Sequence, residues 1–371
     1  MIMQKTLPIS ARRQGRHAVP AGQRGATLIV ALTVVMVVGV LAASVSHDFL
    51  TLSRRVENQL QARQVEAYLV ASESVARQAL LQDLRASADV DYSLDLWAQT
   101  MEVELPIGIL RGCLQDLQGR INLNGLATSA EEGYSSDQRR FIRLLQALEM
   151  DNPPGQTEAV MLANAVFDWV DPDDQQRFPG GAEDLYYLRQ APASKAANQG
   201  FASVSELRLI SGMTDEIYAA LTPHVTLWGN GDLNINSADS HLTREKIQDN
   251  MVLSALPAPV ILRTLNGEDQ LSPLTEEAAW QIVNRRIDQN GFRGLDFLEQ
   301  GQLAPLLIEQ DGLGLASSYF SLAAELELDS RRYQVQSVLF RYFDSLGIPG
   351  VRVISRHVAS KQIDMDEFCV N

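Results

Sequence analysis

The chain has 371 residues, 46% of them hydrophobic, and it carries 46 acidic against 31 basic side chains, a formal net charge of −15 at pH 7. This length allows one membrane helix and about two further domains. A surface this acidic lacks the basic footprint of a nucleic-acid-binding domain. It favours bound cations or basic partner surfaces instead.

Residues 1–25 form a leader that contains five Lys or Arg residues and no acidic residue. Residues 26–46 follow without a charge, and as a helix they would span roughly 31 Å, about the hydrocarbon thickness of a bilayer. The positive-inside rule keeps the leader cytoplasmic and places the remaining chain in the periplasm of a bacterium, anchored by one pass through the inner membrane. A cleaved signal peptide is the alternative, although its apolar region is only about 7–15 residues long.

Helical spacing of apolar residues continues beyond the membrane segment. No Gly or Pro occurs between residues 40 and 105, and apolar side chains recur on one face from Phe49 to Leu80. The pattern predicts a single helix over residues 26–84, half in lipid and half amphipathic. The amphipathic half of this helix and the first strands make up the segment 47–118. The first members of the stripe are predicted to contact partner helices: Phe49, Leu52, Val56 and Leu60.

Strands are predicted at both ends of the soluble region. Residues 101–105 and 109–117 are predicted to be short strands, and residues 319–328, 333–343 and 351–358 form an antiparallel meander within the last segment, 319–371. Residues 119–318 differ in character, because they contain capped helical segments at 135–150, 157–170, 203–211, 214–221, 240–253 and 275–290. The prediction is an α+β fold, in which a sheet packed on a long N-terminal helix is interrupted by a large helical insertion.

The insertion contains a short internal repeat. Residues 119–124 read Gly-Arg-Ile-Asn-Leu-Asn, and residues 231–236 read Gly-Asp-Leu-Asn-Ile-Asn. Helical segments follow each copy. The repeat predicts two related subdomains, 119–230 and 231–318.

Six carboxylates crowd residues 168–184, a segment rich in Pro and Gly. Such carboxylates raise one another's pKa unless they share a cation, and hard oxygen ligands are what Ca²⁺ requires. The spacing is not that of an EF-hand, and a solvated acidic loop remains the alternative. The segment predicts a calcium site with these candidate ligands: Asp168, Asp171, Asp173, Asp174, Glu183 and Asp184.

The chain has two cysteines, Cys113 and Cys369. Both follow the proposed membrane anchor, in a compartment that permits disulfides. A bridge would join the start of the soluble region to its last residues. Two buried free thiols are the alternative.

Residues 201–214 and 217–221 outline two short helices around a glycine turn, and residues 291–303 repeat the outline. This resembles a helix-hairpin-helix and raises the alternative of a membrane-anchored DNA-uptake protein. The turn holds Asp215 and Glu216, however, and no Lys or Arg follows until Arg244. DNA-binding hairpins present amides and basic residues to phosphate, so a structural hairpin is the preferred interpretation. The sequence contains no G-x-S-x-G, H-E-x-x-H or P-loop motif, and we predict that it is not an enzyme.

The junction between Gly25 and Ala26, basic before and apolar after, resembles the leader of type IV pilins and pseudopilins. The resemblance implies that a prepilin peptidase cuts between these residues and that the new terminus at Ala26 is methylated. Family members usually carry glutamate at the fifth mature position, where this chain has Val30. An apolar residue there suits a subunit that begins a filament and has no earlier neighbour to pair with.

Residues 116–124, 168–173, 177–184 and 202–207 resemble the general secretion pathway protein K family, minor pseudopilins of type II secretion. The resemblance implies a pilin-like fold whose helical insertion binds calcium. It also implies a tip complex with the I and J types of minor pseudopilin, and contacts with the major pseudopilin and the inner-membrane secretion platform. A minor pilin of a type IV pilus is the alternative within the wider family.

Overall fold

The structure, a computed structural model, describes residues 21–92, 95–128, 133–229, 231–242, 257–267, 270–328, 331–358 and 363–369. The chain divides into two compact units, residues 1–64 and 65–371. Most of the leader and most of the predicted helix 240–253 lie outside the described residues.

Helix α1 extends from Ala21 to Ala86. It begins five residues before the predicted start, directly after Pro20, and proline is common at the start of a helix. Within the described residues, this is the one helix long and apolar enough to cross a membrane, as judged by length and composition.

The apolar stripe of α1 changes its environment along the helix. In the first unit, Phe49, Leu52, Val56 and Leu60 are all exposed. In the second unit, the continuation of the stripe is buried in two apolar clusters formed with the sheet. Its buried members are Val65, Leu69, Ala76 and Leu80. The same periodicity therefore supplies a packed core in one unit and an uncovered face in the other.

The strands, in chain order, are β1 (Met101–Leu105), β2 (Gly108–Asp116), β3 (Ile121–Asn122), β4 (Val225–Thr226), β5 (Leu233–Asn234), β6 (Leu313–Gly314), β7 (Tyr319–Leu328), β8 (Arg331–Phe343) and β9 (Pro349–Val358). The main sheet has the order β1-β2-β7-β8-β9, and each neighbouring pair is antiparallel. The five longer strands lie within two residues of the predicted bounds. Enrichment in β-branched and aromatic residues, with turn residues between the strands, made β7, β8 and β9 visible in the sequence.

The insertion leaves and re-enters the sheet at one end. Asp116 of β2 pairs with Phe320 of β7, so residues 118–318 join two adjacent strands. Phe320 packs in the same apolar cluster as Leu80, whereas the opposite end of β7 packs with Val65. The insertion therefore lies at the sheet end that contacts the C-terminal part of α1.

An ion pair between the buried Glu73 and the exposed Arg356 also holds α1 on the sheet. Glu73 is 4% exposed, and its carboxylate accepts hydrogen bonds from Ser337 at 2.7 Å and from Arg356 at 2.6 and 2.5 Å. Sequence periodicity did not single out this residue, because a charge within an apolar face gives no signal that its partner lies 283 positions away.

The helices of the insertion surround one apolar core. They are α2 (Ser136–Ala147), α3 (Gln156–Val170), α4 (Asp184–Tyr187), α5 (Asp215–Leu221) and α6 (Glu276–Asp288), and α7 (Met365–Phe368) follows the sheet. Caps explain several starts: Ser135 and Gln138 form a reciprocal capping box, and the Thr275 hydroxyl accepts from Ala278 N. The predicted helix at 203–211 is instead a 3₁₀ helix, Val204–Leu209.

The two copies of the repeat form the same local structure. Asn124 N donates to Asn122 Oδ1 at 3.0 Å, and Asn236 N donates to Asn234 Oδ1 at 2.9 Å. The side chain of Asn124 donates to Phe201 O through Nδ2 and accepts from Phe201 N through Oδ1. The side chain of Asn236 makes the same two hydrogen bonds with the backbone of Phe292.

Each copy also contains one parallel strand pair, β3–β4 in the first and β5–β6 in the second. These two-residue strands were not predicted, because they are too short to show a period of two.

Candidate metal centre

The acidic segment begins where α3 ends. Asp168 lies in the last turn of α3, and Asp171 follows its last residue, with its backbone N bonded to Phe167 O at 2.9 Å. Pro172 disfavours helical geometry for the residue before it, so the helix stops at Val170. The chain then loops back to Glu183, which precedes α4.

Three of the six predicted ligands converge. Asp171, Asp173 and Glu183 each contribute one carboxylate oxygen, and these oxygens lie within 4.8 Å of one another. Asp171 and Glu183 are buried, whereas Asp173 is exposed. This separation suits oxygens that share one cation, since Ca²⁺ binds its ligands at about 2.3–2.6 Å.

Buried oxygens of this cluster lack hydrogen-bond donors. Within the described part of the chain, neither oxygen of Glu183 has a hydrogen-bond partner, and the same holds for Asp171 Oδ1. Leaving a buried acceptor unpaired costs about 1–3 kcal/mol, and more for a charged group. A cation would satisfy all three atoms, so these residues fit a bound metal.

Burial without sufficient compensating charge also raises the pKa values of these carboxylates. Burial, followed by repulsion from Asp168 and Asp171, raises the pKa of Glu183 to about 8. Burial also raises the pKa of Asp168 to about 6 and that of Asp171 above its ordinary value. Arg177 offsets only part of this charge, since its Nη2 lies 3.4 Å from Asp171 Oδ2 and its Nε lies 3.7 Å from Asp168 Oδ1.

The other three predicted ligands have protein partners. The buried Asp168 accepts a hydrogen bond from the backbone N of Arg177 at 3.2 Å. Asp174 Oδ1 accepts from Asn198 at 2.9 Å. Asp184 accepts a hydrogen bond from Lys195 Nζ at 2.5 Å and another from Ala196 N at 3.1 Å. The hydrogen bond from Lys195 lowers the pKa of Asp184. Asp184 therefore does not join the converging oxygens.

Asn198 is a polar contributor that sequence analysis missed. It donates to Asp173 O at 3.3 Å as well as to Asp174, and its own Oδ1 is buried without a hydrogen-bond partner among the described residues. Its backbone φ of 46° lies in the left-handed region that asparagine tolerates. No spacing rule connects it to a segment 24 residues earlier, so only the fold reveals it.

The donor set decides which metal fits. Carboxylate and amide oxygens surround the site, without a histidine or cysteine among the residues described above. Hard oxygen ligands select Ca²⁺, Mg²⁺ or Mn²⁺ over zinc, and an irregular loop suits the flexible coordination of Ca²⁺ better than the octahedron that Mg²⁺ demands.

The two cysteines are joined. Cys113 of β2 and Cys369, directly after α7, form a disulfide with a Cα–Cα distance of 5.6 Å. Met365 and Phe368 pack beside it against Ala323 of β7. The C-terminal segment thus covers part of the sheet face that does not contact α1.

The hairpin-like segment presents acidic groups. Its 3₁₀ helix and α5 are joined by a turn in which Asp215 and Glu216 are exposed. The nearby Arg208 stacks over the ring of Tyr218 at 4.2 Å. Carboxylates at the turn repel phosphate, which disfavours DNA binding.

Comparisons with known proteins decide the family. A family model described as type II secretion system protein K matches residues 119–230. The type II secretion system protein K of Aeromonas hydrophila is 28% identical over 353 residues, which span 91% of this chain and 96% of that protein. The chain belongs to the type II secretion system protein K family. It is therefore a minor pseudopilin of type II secretion.

Further members of the protein K family agree. The Pseudomonas aeruginosa protein is 36% identical over 228 residues, 58% of this chain and 66% of that protein. The fold is similar to that of a chain in the crystal structure of the GspK-GspI-GspJ complex from enterotoxigenic Escherichia coli. The TM-score is 0.63 with 23% identity, over 83% of this chain and 100% of that one.

Proposed function

We propose that this pseudopilin initiates or caps the tip of the pseudopilus together with the I and J types of minor pseudopilin, and so supports protein export across the outer membrane. It acts by assembly rather than by catalysis. Similarity of fold to a chain of the GspK-GspI-GspJ complex supports the choice of partners.

The placement of the insertion carries the proposal. Residues 118–318 branch from the sheet between Asp116 and Phe320, beside Leu80 of α1, and not at the end near Val65. The insertion, at the sheet end farther along α1 from its apolar segment, would obstruct the stacking of a further subunit on that side. Among the described residues, no insertion of this kind lies at the other end of the sheet, where subunits nearer the membrane would stack.

The N-terminal segment supplies the attachment. We propose that residues 1–25 are cytoplasmic, that the apolar part of α1 crosses the inner membrane once, and that the large unit lies in the periplasm. Prepilin peptidase would cut after Gly25, and Ala26 would be methylated. Val30, in place of glutamate, needs no charged partner from an earlier subunit, which suits a first position.

The exposed stripe of α1 is the proposed contact with partner helices, those of the major pseudopilin included. Assembly on the inner-membrane platform would bury the side chains of Phe49, Leu52, Val56 and Leu60, each more than 40% exposed. Burying a leucine or phenylalanine side chain fully contributes about 1.5–3 kcal/mol. Four such residues give a helix face strong enough to direct association.

Replacing Leu52 by glutamate should prevent co-purification of the full-length chain with the I- and J-type pseudopilins in detergent, since a charge in the stripe cannot be buried without a partner. The matched control is Asn58→Glu, an exposed position on the opposite side of α1, which should leave the complex intact. Equal recovery of partners with both variants would contradict the stripe as the contact. Failure of the unaltered chain to retain either partner would contradict the proposed tip complex.

We further propose that Asp171, Asp173 and Glu183 hold a calcium ion, with Asp168 and Asp174 beside them. Bound calcium would supply positive charge to a group of carboxylates that Arg177 neutralises only in part. The loop between α3 and α4 would then be fixed in one conformation.

Chelation of calcium should lower the melting temperature of the full-length chain in detergent by several degrees. A ligand at 100 times its dissociation constant stabilises a fold by about 2.7 kcal/mol. Glu183→Gln should show a clearly smaller response, because the variant lacks the buried charge that binds this ion. Asp184→Asn is the control and should respond as the unaltered chain does, since Asp184 binds Lys195. A melting temperature unaffected by chelation would refute calcium binding.

A further inference from the structure

A second group of carboxylates lies far from the acidic segment in sequence. Asp83 near the end of α1, and Asp91 and Asp95 in the segment that follows, form what we call the aspartate triad. One oxygen from each residue lies within 4.8 Å of the others. The separation is the same as in the acidic segment, although a different part of the fold supplies the residues.

The triad contains a buried oxygen without a donor. Asp91 is 0% exposed. Its Oδ2 accepts hydrogen bonds from Ser317 N at 2.6 Å and from Arg341, whereas its Oδ1 has no hydrogen-bond partner in the described ranges. Because a buried charged acceptor is costly to leave unpaired, this oxygen indicates a ligand.

Charge counting indicates the type of ligand. Three carboxylates give −3, and Arg341, whose Nη1 lies 2.7 Å from Asp83 Oδ2, contributes +1. The balance of −2 equals the charge that one divalent cation neutralises. Burial raises the pKa of Asp91 to about 7 in spite of Arg341, so the guanidinium alone does not compensate for the lost hydration.

We infer that the aspartate triad binds a divalent cation of the calcium type, separate from the one proposed for the acidic segment. All three ligands are carboxylates, which select hard cations. Oxygens up to 4.8 Å apart match opposite ligands around one Ca²⁺ at about 2.3–2.6 Å each.

The position of the triad gives the ion a structural role. Asp83 belongs to α1, Arg341 to β8, and Asp91 N donates to Leu315 O at 2.7 Å, close to where the insertion returns to the sheet. An ion here would connect the end of the long helix to the exit of the insertion. The inference does not depend on the role in secretion.

Calcium content per chain tests the inference directly. The full-length chain in detergent is stripped with a chelator, dialysed against calcium at pH 7.5 and measured by mass spectrometry of the metal. Asp95→Asn should bind one calcium ion fewer than the unaltered chain, and the same difference should appear in a Glu183→Gln background. Asp95 is only half-buried, and its amide retains an acceptor for Tyr92 N, so the variant should fold.

Asp89→Asn is the matched control, because Asp89 is exposed in the same segment and lies outside the triad. Its calcium content should equal that of the unaltered chain. Equal content in Asp95→Asn and the unaltered chain would overturn the inference and indicate that the carboxyls share a proton instead. Loss of calcium on Glu183→Gln but not on Asp95→Asn would leave the acidic-segment proposal standing alone.

Discussion

A chain in which leucine replaces Gly25 should accumulate almost entirely as uncut precursor and should not support secretion. The proposed prepilin peptidase would require a residue without a side chain at this position. The peptide bond between Gly25 and Ala26 also lies inside helix α1, which must open locally to be cut. Glycine is about 0.8–1.0 kcal/mol less favourable than alanine in a helix, and leucine ranks close to alanine, so leucine opposes that opening as well.

Intact-mass measurement of the purified chain gives the result, since the proposed processing would remove residues 1–25. Gly39→Leu is the control: Gly39 lies in the same helix, and a Cβ there would meet no atom within 4 Å among the described residues. It should be processed normally. A processed Gly25→Leu chain, or a mature terminus other than Ala26, would contradict the assigned cleavage site.

Replacing Arg143 by methionine should lower the free energy of unfolding by about 3–5 kcal/mol, the usual cost of removing one partner from a buried ion pair. Both Arg143 and Glu309 have fully buried side chains, and Arg143 Nη1 lies 2.7 Å from Glu309 Oε2. The guanidinium also donates to three backbone oxygens, those of Thr264, Gly267 and Gln270. Methionine leaves Glu309 short of a cation and these carbonyls without their donor.

Urea unfolding of the full-length chain in detergent, followed by tryptophan fluorescence, measures the loss. Arg139→Met is the control, because Arg139 also binds Glu309 but its side chain is 20% exposed. It should cost clearly less, since Arg143 remains in place. If the two variants are equally stable, the buried network around Arg143 does not hold the insertion together.

Long periodic segments were predicted closely. Helix α1 and the strands β1, β2, β7, β8 and β9 agree with prediction to within five residues, because the apolar residues of α1 recur with the helical period and the last three strands are rich in β-branched and aromatic residues. The carboxylates of residues 168–184 were also visible, since their density is local. Which of them converge was not: Asp171, Asp173 and Glu183 share a site, whereas Asp184 is bonded to Lys195.

By itself, the sequence determined the long helix, its apolar segment and the α+β class, since charge, hydropathy and periodicity are properties of neighbouring residues. The family followed from the resemblance of short motifs to known members. Only the tertiary structure revealed the aspartate triad beside Arg341, the role of Asn198 and the pairing of Glu73 with Arg356. These depend on residues as many as 283 positions apart. A charge is buried and meets its partner only when distant elements of the chain pack together, and burial is what shifts its pKa.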